Sequence, residues 1–291
     1  MSLSFWLGII QQGIMYGIMA LGVYLTFRVL NYADLSVDGT FALGAAVVCT
    51  AIVNGINPII GTLMAVLAGA LAGTVTGFLH TKLDISPLLS GILTMIALYS
   101  INLRIMGKAQ LSLLRQDTLI TQIQSWGLTK EMAALLLGVI TIAILFFVLN
   151  YFLKTEIGLA FRATGDNEQM IRSLGVNTDT VKIFGLAISN ALVALAGAEI
   201  AQLNNFADVN MGLGMLVAGL ASVIIGEVLF GAQGFPRVLF SVVLGSFAYR
   251  LVIGIALVLG LPATDLKLIT AILVIIALAT PTIRTKLKFG V

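Results

Sequence analysis

The sequence is short of almost everything a soluble protein uses on its surface. Of its 291 residues only 10% are charged while 59% are hydrophobic, and the mean hydropathy is +1.08. So few charges cannot clothe a soluble domain of this length, and lipid must be the solvent. A lone cysteine, Cys49, sits in an apolar stretch and excludes an internal disulfide framework or a thiolate metal site. A lone histidine, His80, falls at a span end and reads as interfacial rather than as a proton relay. No nucleophile with a base, no paired carboxylates and no metal-ligand set recur within helical reach, so an enzyme is not expected. No G-x-x-x-x-G-K-[ST] run is present either, and without that phosphate-cradling loop this chain is not expected to bind ATP itself. The net charge of +3 arises from 16 basic and 13 acidic residues, a basicity of small numbers rather than a nucleic-acid-binding surface. Pro-rich or Ser-rich linkers are missing, and a single membrane domain is expected over residues 1–291. Met1 to Ser4 lack the positive n-region of a secretory signal, so the apolar run that follows reads as a retained span.

What is there is a series of apolar runs. A hydrocarbon core of about 30 Å takes about 20 helical residues, since backbone polar groups cannot be left unpaired in it. Nine runs qualify as candidates: Phe5 to Phe27, Thr40 to Val53, Ile59 to Leu79, Ile85 to Ile105, Met132 to Leu153, Val181 to Leu203, Leu213 to Leu229, Val238 to Leu259 and Leu268 to Ile283. The expected fold is therefore all-α and multi-span. The second run is too short to cross alone, because Phe41 to Val53 makes only about 20 Å of helix. It must borrow from Asn31 to Thr40 or be broken. With Lys154 to Lys182 cytoplasmic, ten basic residues lie inside and five outside, which places the N-terminus outside and the C-terminus in the cytoplasm.

Two loops are long: external Gly107 to Glu131 and cytoplasmic 154–180. In the second, Asp166 followed three residues later by Gln169 reads as a capping box, Glu168 suits the first turn of a helix, and Gly175 suits its stop. A short helix from Asn167 to Leu174 results, with Met170, Ile171 and Leu174 on one side and Glu168 and Arg172 on the other. Such a helix fits a pocket on a cytoplasmic partner, or lies as a solvated connection on the bilayer surface. Two readings also stay open for Asn31, Asp34, Ser36 and Asp38. They form a hydrated turn in which Asp38 caps the helix that follows, or a broken helix whose N-terminus points inward and offers free N–H groups to an anionic carboxylate of a solute.

The run GLAFRATGDNEQMIRSLGVNTDTVKIFGLAISNALVALAGA resembles the cytoplasmic loop and following span of ABC importer permeases of the branched-chain amino acid type. Arg162, Ala163, Leu174, Gly175, Val176 and Asn177, then Ala194 to Ala198, occupy the positions of that family's recurring residues. NYADLSVDGTFALGAAV, from Asn31 to Val47, is similar to the D-L-S-V-G-[ST] stretch of sugar permeases in the same superfamily, though Asp38 intrudes and argues against a ribose-type carrier. By overall pattern the chain is similar to permeases thought to import tryptophan or tyrosine. The resemblance implies a cell-membrane homodimer served by ABC ATPase subunits and by an extracytoplasmic solute-binding protein. It puts ATP and magnesium on the ATPase and no cofactor on this chain. The capped helix, the missing ATP-binding loop and the resemblance together mark Asp166, Asn167, Glu168, Met170, Ile171, Arg172, Leu174 and Gly175 for ATPase coupling.

Inside the spans, Arg250 would cost about 2.5 to 3.5 kcal/mol or more if it faced lipid, so it must meet protein or water. At about 1.5 Å per residue it lies about 18 Å from the cytoplasmic boundary, Glu199 about 27 Å and Glu227 about 3 Å, which makes Glu199 the expected ion-pair partner. Gly69, Gly73 and Gly77 form a small-residue ridge for close helix packing, and Gln11 and Gln12 are expected to hydrogen-bond between helices. Two other classes of function compete: an ion-coupled secondary transporter, for which Glu199, Glu227 and Arg250 form only a thin relay, and an ABC permease for a sugar or nucleoside.

Overall fold

The computed structural model describes residues 3–231, 234–262, 265–266, 268–275 and 279. Helices dominate. In chain order they are α1 (Leu3–Val23, continued by a π-helical turn, Tyr24–Val29), α2 (Ser36–Val53), α3 (Pro58–Lys82), α4 (Pro87–Met106), α5 (Leu119–Gln124), α6 (Lys130–Phe152), α7 (Glu156–Asp166), α8 (Glu168–Ser173), α9 (Thr178–Asn204), α10 (Met215–Phe230) and α11 (Phe235–Val258). Two three-residue strands, β1 (Gln110–Ser112) and β2 (Phe206–Asp208), pair antiparallel with Leu111 opposite Ala207.

Seven helices among the described residues are long and apolar enough to cross a membrane, and α10 is a shorter apolar helix of 16 residues. The sequence expectation of nine spans meets the structure in eight of its runs. Of the ninth, Leu268 to Ile283, residues 268–275 are helical, while 276–278 and 280–283 lie outside the described residues. The short second run does borrow from the residues before it, since α2 begins at Ser36.

Helix starts carry their own signals. Asn57 and Ser86 accept hydrogen bonds from Ile59 N and Leu89 N ahead of Pro58 and Pro87, where a missing N–H costs nothing. Thr129, Thr155 and Asn177 do the same for α6, α7 and α9. Packing follows the glycines. A Cβ on Gly73 would run into the Leu186 carbonyl, and Gly69 and Gly77 likewise sit against α9, so the ridge expected from sequence lets α3 and α9 approach backbone to backbone. α2 lies against α9 on another side, Gly44 facing the Ala194 carbonyl.

Leu63, Leu67, Leu71, Val75 and Phe147 point outward and are exposed, as a surface turned to lipid requires. β2 follows the end of α9 and α8 precedes its start, 27 residues or about 40 Å apart, so the two loop regions occupy opposite ends of the molecule.

Candidate functional site

α2 starts inside the protein. Asn190, level with that start, lies twelve residues or about 18 Å along α9. Asp34, Ser36 and Asn190 are all buried there, at 1%, 0% and 0% exposure. Asp34 Oδ1 accepts from Ser36 N at 2.9 Å and from Ser36 Oγ at 2.6 Å, while Oδ2 accepts from Asn190 Nδ2 at 2.7 Å. Ser36 Oγ also lies 3.2 Å from Asn190 Oδ1. The start of α2 is buried, but α2 is unbroken from Ser36 to Val53 and the protein's own Asp34 carboxylate accepts from its first N–H. Asn31 stands apart, exposed in a left-handed turn with φ 52°.

Asp38 corrects the other reading. It does not cap the helix it belongs to. Its Oδ2 accepts from Gly214 N and its Oδ1 from Leu216 N, both at 2.8 Å, so it caps α10 from 176 residues away. The first free N–H groups of a helix carry its positive end, and a carboxylate is the natural group to meet them. The buried start of α2 and the more exposed start of α10 are thus each met by an aspartate, Asp34 and Asp38, four residues apart in the chain. Beside Asp38 opens a cavity of about 300 Å³, bordered by Tyr99, Ser100 and Asn102 of α4 and by Asn210 and Leu213 ahead of α10. Sequence reasoning placed a span over Ile85 to Ile105 but assigned none of its residues to the site. Its only local signal was a run of polar residues, Tyr99, Ser100 and Asn102, in an apolar span.

The expected Glu199–Arg250 pair does not form. Glu199 Oε1 accepts from Thr141 Oγ1 at 2.7 Å, and the Arg250 guanidinium lies 3.5 Å over the Tyr16 ring, which stacks on Phe41. α1 packs against both α9 and α11, so similar depth on those two helices does not make neighbours. Glu227 instead pairs with Arg28 at 3.0 Å, where α10 ends beside the π-helical turn. His80 Nδ1 hydrogen-bonds the Ile85 carbonyl, and Gln11 Nε2 donates to the Glu131 carbonyl at the start of α6.

At the opposite end from the strands, α7 and α8 form a charged shelf. Asn167, not Asp166, caps α8: its side chain accepts from Met170 N at 3.0 Å, while Asp166 is the last residue of α7. Gly175 stops the helix with φ 87°. Met170 and Leu174 are exposed at 51% and 71%, but Ile171 is buried at 7% and packs inward, so the apolar side offered outward is narrower than expected. Arg172 is also tied down. It donates to Asp179 Oδ1 at 3.0 Å and to Thr178 Oγ1, and lies 3.5 Å from Glu168. Lys182 holds Glu168 at 2.7 Å and Lys82 of α3 holds Asp179 at 3.1 Å. The hydrogen bond from Lys82, reinforced by Arg172 and Lys182, holds the Asp179 carboxyl below the ordinary range. For Glu168 partial burial works upward, yet Lys182, Thr178 and Arg172 together outweigh it and the net shift is downward.

Residues 5–279 match the model of the branched-chain amino acid transport system permease component. The chain belongs to that permease family. It is 46% identical to the tyrosine transport system permease protein of Clostridioides difficile, over 97% of this chain and 93% of that one. An uncharacterized protein of Rickettsia prowazekii is 34% identical over 93% of this chain and 95% of its own length. The autoinducer 2 import system permease protein LsrC of Yersinia pseudotuberculosis is 28% identical over 84% of this chain and 68% of its own. Among solved structures, PsaBC from Streptococcus pneumoniae in complex with Fab has the same fold at 15% identity, with a TM-score of 0.54 over 92% of this chain and 89% of that one.

The permease is a multi-pass protein of the cell membrane, and its relatives are transport subunits rather than enzymes. The matched range spans the starts of α2 and α10 and the α7–α8 shelf.

Proposed function

We propose that this permease is the membrane subunit of an ATP-driven importer for an amino-acid-like solute, an aromatic amino acid being the leading candidate. The similarity to a tyrosine transport permease along nearly the whole of both chains carries this reading. ATP and magnesium are held by separate ATPase subunits, solute arrives from an extracytoplasmic binding protein, and two permease copies form the membrane unit. The N-terminus is outside and the C-terminus cytoplasmic, on the ten-to-five excess of basic residues. The α7–α8 shelf then faces the cytoplasm and docks the ATPase. Exposed Met170 and Leu174 supply the apolar contact, while the bonds from Glu168 and Arg172 to the start of α9, and from Asp179 to Lys82, carry movement of α8 into α9 and α3. A sugar or nucleoside solute, or ion-coupled transport without an ATPase, are the competing outcomes.

The deciding experiment is ATP-dependent uptake of labelled L-tyrosine into proteoliposomes holding the permease, its ATPase and the binding protein. Leu174→Asp places a charge in a desolvated contact and is expected to abolish co-purification of the ATPase and stimulated hydrolysis at unchanged melting temperature. Normal stimulation in well-folded Leu174→Asp rejects α8 as the docking element. Orientation has its own check in a Cys49→Ala background. Gln116→Cys should react with an impermeant maleimide on intact cells and Ser173→Cys only after lysis; the reverse pattern inverts the topology.

A further inference from the structure

The cavity of about 300 Å³ beside Asp38 lies one helical turn from the interior start of α2, yet one of its walls is open: Ile96, Tyr99 and Ser100 on α4 are exposed. Polar groups at that place cannot face lipid cheaply, and Asp38 least of all. The wall therefore turns toward water or toward a second subunit.

The chemistry of the lining is one-sided. Asn102 is fully buried at 0% exposure, and its Nδ2 donates to the Gly39 carbonyl at 3.2 Å. That bond fixes which end of the amide is which, because the reverse assignment would set two oxygens against each other. Its Oδ1 is left as a buried acceptor without a hydrogen-bond partner. Such a group is costly unless something donates to it. The same cavity is lined by Asp38, whose carboxylate receives the backbone N–H groups of Gly214 and Leu216 and keeps further lone pairs free. Tyr99 adds an aromatic face, 47% exposed. Spare acceptors, one negative charge, an aromatic ring and no cationic side chain in the lining define a receptor for a compact cation with several N–H donors.

We infer that this cavity is a station on the transport path that binds the primary ammonium group of the solute, with Asn102 Oδ1 and the Asp38 carboxylate as acceptors and Tyr99 as the ring beside the charge. The inference deepens the importer reading and rests on it only for the identity of the solute. The carboxylate of an amino-acid solute is left to groups outside this cavity, since the lining offers it no cation.

The test uses Ser100→Cys in a Cys49→Ala background, in the permease–ATPase complex reconstituted in liposomes. The rate ratio of a cationic trimethylammonium methanethiosulfonate to its anionic sulfonate counterpart should exceed the ratio the two reagents show with a free thiol in solution by about tenfold or more, the excess an acidic focusing cavity gives. Tyramine and L-tyrosine should slow the reaction, and 3-(4-hydroxyphenyl)propanoate, which lacks the ammonium, should not. Asn102→Leu should abolish protection by tyramine and Asn102→Asp should retain it. Should Asn102→Leu fail to fold, the exposed pair Tyr99→Leu and Tyr99→Phe decides, with protection lost only in the first. A cationic-to-anionic rate ratio no greater than that of a free thiol, an unreactive Ser100→Cys, or protection by the desamino acid equal to that by tyramine overturns the inference. ATP-dependent uptake by the unmodified complex is scored separately, so loss of the importer reading leaves the amine selectivity of the cavity standing or falling by itself.

Discussion

Two helix starts in this permease use an aspartate in opposite ways. At the start of α2, Asp34 is 1% exposed and is satisfied wholly by neutral donors, a backbone N–H, a hydroxyl and a side-chain amide. At the start of α9, Asp179 lies on the outer shelf and is held by two cations, Lys82 and Arg172. The difference follows from solvent. In the interior no water replaces a lost partner, so each donor aimed at Asp34 is committed to it. On the shelf, water and salt compete for every ion pair, so its net worth is small and its geometry is adjustable. The interior start is built to stay put, and the shelf to adjust.

Asp34→Ala should break the comparison most severely. It leaves Ser36 N and one hydrogen of Asn190 Nδ2 without their acceptor in a buried site, at about 1 to 3 kcal/mol for each unsatisfied group, while Ser36 Oγ can turn to Asn190 Oδ1. We expect a loss of at least about 2 kcal/mol and poor recovery of folded protein, read as the thermal unfolding midpoint in detergent. An unchanged midpoint would mean that water reaches this site and that the interior start is not dry.

Asp38→Ala ranks next. Gly214 N and Leu216 N lose their acceptor, but the cavity beside Asp38 is open and solvent can replace part of what is lost. A cost of about 1 to 2 kcal/mol is expected, the usual range for an N-cap. Asp38→Ser, a shorter cap, should recover part of it. A loss as large as that of Asp34→Ala would place Asp38 with the dry interior instead of with the open cavity.

How much of this was legible in sequence depends on range. Local signals came through. Phe41 to Val53 was visibly too short to cross, and α2 does begin earlier, at Ser36. The ridge Gly69, Gly73 and Gly77 announced close packing and found α9. Gly175 did stop α8, and only the identity of its cap slipped by one residue, because Asn167 and Asp166 are equally good caps by composition. What failed was long-range pairing. Nothing near Asp38 says that its donors lie 176 residues on, and depth along a helix carries no information on azimuth, so Glu199 and Arg250 looked adjacent while facing different helices. Ile171 was misplaced for a related reason: a six-residue helix is too short for its periodicity to say which side the protein covers.

The smallest effect, and the one that sharpens the comparison from the other side, belongs to Arg172. Its side chain is 62% exposed and shared between Asp179, Thr178 and Glu168, so Arg172→Ala should cost under about 1 kcal/mol of global stability. Its work is local, in tethering α8 to α9. A spin label at Ser173→Cys in a Cys49→Ala background should report higher mobility in Arg172→Ala, with the melting temperature nearly unchanged. Acid should mimic the substitution. Glu168 and Asp179 both have carboxyl groups held below their ordinary range in the folded protein, so the stabilisation they give is complete above their unfolded values, about 4.3 and 3.9. It fades as the pH falls through the depressed folded values. Label mobility should therefore be flat from pH 7 to about 5 and rise below about 4, and strong salt at neutral pH should move it the same way. Arg172→Ala should flatten both responses, since one tether is already gone. If neither acid nor salt loosens α8, packing of buried Ile171 holds it rather than charge, and the shelf is as rigid as the interior.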